Sequence, residues 1–159
     1  MTKIIAEFCQ NHNGNYDILN RMLETASFNG ATHGKIQNIY ADNLSFRPQF
    51  EEGVFHGKNV LSIKRPYKAE YDRLKKLELT IKDNEKFIKS CENNGLIAMT
   101  TCFARSDIKT LKNLGYDSIK VASYDCSSYP MVEELADKFS ELVISTGATF
   151  NDEIKTTAN

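Results

Sequence analysis

The sequence predicts an α/β protein of the (β/α) TIM-barrel type, with about the first five βα units present and the rest missing. Three observations predict it. Short apolar runs alternate five times with segments in helical spacing, which implies parallel strands joined by right-handed crossovers. The runs end in polar or charged residues, and in such barrels the chemistry gathers at the C-terminal ends of the strands. The third observation is Ser118-Ile119-Lys120-Val121-Ala122-Ser123, an apolar strand with a lysine in its middle and a serine three residues later. An unpaired ammonium in a core is costly. Lys120 therefore needs an anionic partner, either a carboxylate of the protein or an anionic ligand.

In order, Lys3 to Cys9 reads as the first strand, ending Glu7-Phe8-Cys9 and followed by the turn-forming loop Gln10-Asn11-His12-Asn13-Gly14-Asn15. From Asp17 to Asn29, Ile18, Leu19, Met22, Leu23 and Ala26 fall on one helical face, closed by Gly30. Gly34-Lys35-Ile36-Gln37 is a second short strand, again with a lysine inside it. Residues 38–80 break the rhythm at Arg47-Pro48, Gly53, Gly57 and Arg65-Pro66, and read as a long insertion or lid after that strand. Its second half is locally basic (Lys64, Arg65, Lys68, Arg73, Lys75, Lys76). That reads either as a solvated face or as a flap that helps to hold an anion. A helix over about Lys82–Asn93 then puts Ile81, Phe87, Ile88 and Cys91 inward and stops at Asn94-Gly95. Leu96 to Phe103 is the third strand. Ser106 to Leu114 is a short helix, with Ser106 as its cap and Gly115 as its stop. After the Lys120 strand, a helix with Pro130 in its first turn runs over about Tyr129–Phe139. Leu142-Val143-Ile144 is the fifth strand, closed by Ser145-Thr146-Gly147, and Asn151 caps a last helix over Asp152–Ala158.

Composition narrows the function classes. With 159 residues, 41% hydrophobic and 26% charged, the chain can bury one core. A net charge of -1 gives no reason to expect nucleic acid or an anionic membrane as partner. No apolar run approaches a membrane span, and Glu7 comes too early for a signal peptide. Cys9, Cys91, Cys102 and Cys126 form neither a CxxC pair nor a zinc spacing, as expected of reduced thiols in a cytoplasmic protein. His12, His33 and His56 are too scattered to argue for a metal by spacing.

The strand ends bring Glu7, Lys35, Gln37, Thr101, Lys120, Ser123, Ser145 and Thr146 to one rim. Two ammonium groups, several hydroxyls and one carboxylate suit a small ligand bearing phosphate or carboxylate. Charge-assisted hydrogen bonds there contribute roughly 1.5–3 kcal/mol each.

Several of these motifs together resemble one family. Ile4-Ile5-Ala6-Glu7 followed by Asn11-His12-Asn13-Gly14 looks like the start of the sialic acid synthases. The likeness continues in Gly30-Ala31, Lys35-Ile36-Gln37, Tyr71 with Leu74-Lys75-Lys76-Leu77-Glu78-Leu79, Thr100-Thr101 with Phe103, Ile119-Lys120-Val121-Ala122-Ser123 and Ser145-Thr146-Gly147. The resemblance implies condensation of phosphoenolpyruvate with an N-acylated amino sugar, either N-acetylmannosamine or a 2,4-diacetamido-trideoxyhexose. The product is a nine-carbon 2-keto sugar acid, and phosphate is released. By analogy Lys35, Thr101, Lys120, Ser123 and Ser145 hold phosphoenolpyruvate. Glu7 and Lys120 are the catalytic residues, and Glu7, Asn11, His12 and Gln37 lie on the sugar side. The resemblance further implies a divalent metal (Mn2+ or Mg2+) with ligands mainly beyond residue 159, a homodimer in the full-length protein, and a C-terminal antifreeze-like domain that is absent here. The chain departs from the family's usual glycine at Cys9, proline at Cys102, aspartate at Ala104 and branched residue at Gly34. These departures bear on sugar preference more than on the anion. Two other readings remain: a lysine Schiff-base aldolase using Lys120, and a catalytically silent anion-binding half-barrel.

Overall fold

The computed structural model describes residues 2–147 and 149–158. Those residues fall into two compact units, one comprising the chain up to Asn38 together with the chain from Leu79 onward, the other Ile39–Glu78.

The first unit holds five parallel strands: β1 (Ile5–Cys9), β2 (His33–Gln37), β5 (Ile97–Cys102), β6 (Ser118–Val121) and β7 (Glu141–Ile144), in the order β1-β2-β5-β6-β7. The helices α1 (Tyr16–Phe28), α3 (Ile81–Asn93), α4 (Ile108–Leu114), α5 (Tyr129–Lys138) and α6 (Asn151–Ala158) alternate with them. The five predicted βα units are all present. Local chemistry explains the helix boundaries. The Asn15 side chain accepts from the N–H groups of Asp17 and Ile18, starting α1 one residue earlier than the apolar spacing suggested. Thr80 and Asp83 form a reciprocal capping box at α3. Gly115, at φ 97°, takes the left-handed turn that ends α4.

The reading of Ser106 as the cap of α4 is corrected. A 3-10 turn over Arg105–Asp107 comes first, held by the Asp107 N–H on the Ala104 carbonyl at 3.0 Å, and α4 begins only at Ile108. Asn151 likewise is the first residue of α6 rather than its cap; the Glu153 carboxylate accepts from the Phe150 N–H at 2.8 Å.

Side chains alternate across each strand. One face of the sheet packs Phe8, Ile36, Cys102, Ile119 and Val121 against Leu19, Leu23, Phe87, Leu111 and Leu135 of the helices. Gly34 lies on this face. A Cβ there would stand 3.2 Å from Phe8 and 3.3 Å from the Cys91 sulfur, so in this chain glycine makes room for those two side chains. The opposite face carries His33, Glu7, Lys35, Gln37, Thr101, Ser118, Lys120 and Glu141.

That polar face is curled. β7 and β2 are three strand intervals apart, about 14 Å in a flat sheet, yet a Glu141 oxygen lies 2.9 Å from His33 Nε2. Glu141 also reaches Lys3, which precedes β1. Two side chains cannot bridge those gaps unless the sheet bends into an arc, as part of a barrel wall does.

The second unit, within the stretch read as an insertion or lid over residues 38–80, has regular structure of its own. Within Ile39–Glu78 lie a hairpin, β3 (Val54–His56) with β4 (Asn59–Ser62), and a helix, α2 (Tyr67–Leu77). His56 pairs with Asn59, leaving the two-residue turn Gly57-Lys58 with Gly57 at φ 60°. That is the Gly-first turn that matches strand twist.

Candidate functional site

The site is built at the C-terminal ends of the first unit's strands. β1 and β2 pair in register with Glu7 opposite Lys35. On the curled face these side chains meet: Lys35 Nζ lies 2.8 Å from Glu7 Oε2. Lys35 is 1% exposed, while the Glu7 side chain is 36% exposed. The other Glu7 oxygen accepts from the Cys9 N–H at 3.1 Å. One step further along, Gln37, Thr101 and Lys120 stand side by side on β2, β5 and β6. The Thr101 hydroxyl is buried and has no hydrogen-bond partner among the described residues.

Charge is unevenly matched here. Burial pushes the Lys35 ammonium below the usual lysine range; the Glu7 hydrogen bond and charge oppose this, and the nearby Lys120 charge adds to it. Burial, and then the Glu7 carboxylate, push the Cys9 thiol up, against the pull of Lys35 and Lys120. Two ammonium groups therefore sit close enough to repel, and the one carboxylate beside them, Glu7, is paired with Lys35. Such a cluster favours a further anion.

Ser123 and Ser145 follow the last residues of β6 and β7. The Ser145 N–H donates to the Val121 carbonyl at 3.1 Å, and Gly147 lies against Ser123, where an added Cβ would be 3.8 Å from its hydroxyl. The two strand-end loops thus abut.

Asn11 and His12 are placed differently from the cluster. Asn11 is exposed, with its N–H on the Phe8 carbonyl. His12 is fully buried; its Nδ1 accepts from the Gly14 N–H at 3.0 Å, and burial pushes its pKa down. In this position it is neutral, and its buried Nε2 has no hydrogen-bond partner among the described residues.

Among the described residues no group of three or more His, Cys, Asp or Glu side chains is placed to hold a metal ion. Glu7 is engaged by Lys35, and His12 Nδ1 by Gly14. The residues present therefore do not fit a metal centre on their own.

Sequence reasoning missed Cys9 as a neighbour of both lysines. Its backbone offers the signal: Cys9 has φ 51°, a conformation that favours glycine and that strains a side chain, at a position where the resembled family has glycine. It also missed a buried polar group in which Asn38 Nδ2 and the Tyr116 hydroxyl both donate to Asn84 Oδ1, at 2.7 and 2.8 Å. Those contacts join residues far apart in sequence.

The sequence profile of the NeuB family matches residues 22–159. The chain belongs to the NeuB family. Among its relatives, the N,N'-diacetyllegionaminic acid synthase of Legionella pneumophila is 29% identical over 152 residues, 96% of this chain and 41% of that protein. The pseudaminic acid synthase of Campylobacter jejuni (serotype O:23/36) is 25% identical over 151 residues, 95% of this chain and 43% of that protein. Of solved structures, an N-acetylneuraminic acid (sialic acid) synthetase from Leptospira borgpetersenii, in complex with citrate, superposes with a TM-score of 0.77 at 24% identity, over 98% of this chain and 48% of that one. This NeuB chain thus has the fold of part of a NeuB barrel and spans less than half the length of the relatives it matches.

Proposed function

We propose that this chain supplies the phosphoenolpyruvate-binding side of a sialic-acid-type synthase. In the reaction, C3 of phosphoenolpyruvate attacks the aldehyde carbon of an N-acylated amino sugar and forms the new C–C bond. Water adds at C2, and phosphate departs with cleavage of its C–O bond. The observation that carries this reading is two neighbouring ammonium groups at the strand ends, Lys35 and Lys120, of which Lys35 is paired with the carboxylate of Glu7. Phosphoenolpyruvate is close to trianionic and matches that cluster.

Lys35 and Lys120 bind its charged ends, and the hydroxyls of Thr101, Ser123 and Ser145 complete the cradle. The unpartnered Thr101 hydroxyl has hydrogen-bonding capacity left for a ligand. Glu7 and Gln37 face the amino sugar, with Glu7 orienting a hydroxyl or handling a proton. Holding both reactants in register contributes several kcal/mol to lowering the barrier. Residues 38–80 are assigned as an insertion after β2. Lys64, Arg65, Lys68, Arg73 and Lys75 are ion-paired with carboxylates of their own unit, so the anion site is assigned to the strand ends alone.

NeuB enzymes generally use a divalent metal, Mn2+ or Mg2+ in this reading, which would polarise the aldehyde. The described residues complete no such site. We assign the full-length protein as a cytoplasmic homodimer. For this chain, no helix among the described residues is long and apolar enough to cross a membrane.

The test is calorimetric titration with phosphoenolpyruvate, followed by assay for phosphate release with N-acetylmannosamine or a 2,4-diacetamido-trideoxyhexose. Saturable binding supports the reading. Binding without phosphate release assigns this chain the anion site and leaves catalysis to further polypeptide. A borohydride-stable pyruvate adduct on Lys120 would instead make it a Schiff-base aldolase.

A further inference from the structure

The Glu7–Lys35 contact carries a role beyond substrate orientation. Lys35 is an ammonium with almost no access to water, and such a group keeps its charge only beside an anion. The charged or titratable groups that face it are Glu7 from β1, Lys120 from β6 and Cys9 at the end of β1. Lys120 opposes its charge, and the Cys9 thiol is pushed up toward its neutral form. The Ile36 carbonyl, at 3.4 Å, is at the limit of a hydrogen bond. Glu7, at 2.8 Å, is the one strong anionic contact among these. Its carboxylate also borders solvent, so it can leave toward water, whereas Lys35 cannot.

We propose that Glu7 is a positioning residue for Lys35: it holds the buried ammonium charged while the site is empty and yields that contact to the anionic group of the incoming substrate. This rests on the reading of Lys35 as an anion ligand. The Lys35 charge of the empty site is thereby matched in advance. The exchange leaves the Glu7 carboxylate free on the solvent side, where the amino sugar would enter.

Two measurements on the full chain separate this proposal from the reading it rests on. Lysine Cε NMR follows the titration of Lys35 without any ligand. Glu7→Gln removes the charge but keeps the shape, and the Lys35 midpoint is expected to fall by about one pH unit or more. Glu7→Asp, which keeps the charge, is expected to restore part of that fall, and it serves if the Gln variant does not fold. Calorimetry with phosphoenolpyruvate tests the exchange. Below the shifted midpoint Glu7→Gln binds more tightly than wild type, by about threefold or more, because no resident carboxylate competes. Above it, affinity drops by about tenfold per pH unit as Lys35 loses its proton. An unchanged Lys35 midpoint in Glu7→Gln overturns the counter-ion role. A lowered midpoint without tighter binding below it overturns the exchange. Absence of phosphoenolpyruvate binding in every variant, wild type included, sinks the anion-site reading and with it the exchange, while the Lys35 titration still decides the counter-ion role.

Discussion

The polar face of the sheet has two ends, and they treat charge in opposite ways. At the N-terminal end one carboxylate serves several donors. Glu141 on β7 accepts from Lys3, from Ser118 at 2.6 Å and from His33 at 2.9 Å. At the C-terminal end Glu7 is paired with Lys35, and the second ammonium group, Lys120, stands near enough to oppose the Lys35 charge. The first arrangement is complete in itself and ties β7 back toward β2 and the chain before β1. The second is short of negative charge and leaves the Thr101 hydroxyl unpartnered. Barrels separate stability from chemistry in this way, with binding groups at the C-terminal ends of their strands and stabilising contacts at the other. The lesson is that a polar cluster's function shows in what it lacks.

Substitutions at the two ends should break apart along that line. The largest effect is expected from Glu141→Ala, which strands the buried His33 and removes the side-chain ties from β7 to β2 and to the chain before β1. Its cost should be about 2–4 kcal/mol, the buried-pair figure discounted for partial exposure, read as a drop in the urea midpoint. Lys120→Ala should do the reverse: phosphoenolpyruvate binding weakened by roughly 1.5–3 kcal/mol with little loss of stability. Equal stability losses in both variants would erase the distinction.

Acid should sharpen it. Lys3, then Ser118, then His33 hold the Glu141 carboxyl down to about 2, against an ordinary 4.5. A carboxylate lowered on folding stabilises at pH above its unfolded value, and that contribution is lost as pH falls through the folded one. Wild-type stability should therefore decline between about pH 4.5 and pH 2, and a Glu141→Gln variant should lack that component of the decline. A wild-type stability flat with pH across that window would contradict the arrangement. The smallest effect is expected in the second unit. Lys68→Ala breaks an exposed pair with Asp72 and should leave the thermal midpoint unchanged within error, since such pairs contribute little.

How much of this was legible in the sequence follows from what is local. The strand–helix alternation, the cap at Asn15 and the stop at Gly115 are written in neighbouring residues, and the five βα units came out as read. The strand positions of Glu7, Lys35, Gln37, Thr101 and Lys120 were legible because a charged or polar side chain inside an apolar run is conspicuous. Glu141 was passed over as the residue before a strand, because its partners lie across a curled sheet that no local pattern reveals. The hairpin and α2 were hidden by the prolines and glycines around them, although Tyr67, Tyr71 and Leu74 have helical spacing. Ser106 failed as a cap because a preceding turn delayed the helix. The burial of His12 and the contact of its Nδ1 with the Gly14 N–H were not legible in the sequence.

The most direct test of the central claim is calorimetric titration of phosphoenolpyruvate into wild type, Lys35→Met and Lys120→Ala at pH 7.5 or so, about one unit above the ordinary histidine value. The account predicts saturable one-site binding in wild type, weakened at least about tenfold in each variant while folding is retained. No binding by wild type, or the same affinity in all three, would contradict it.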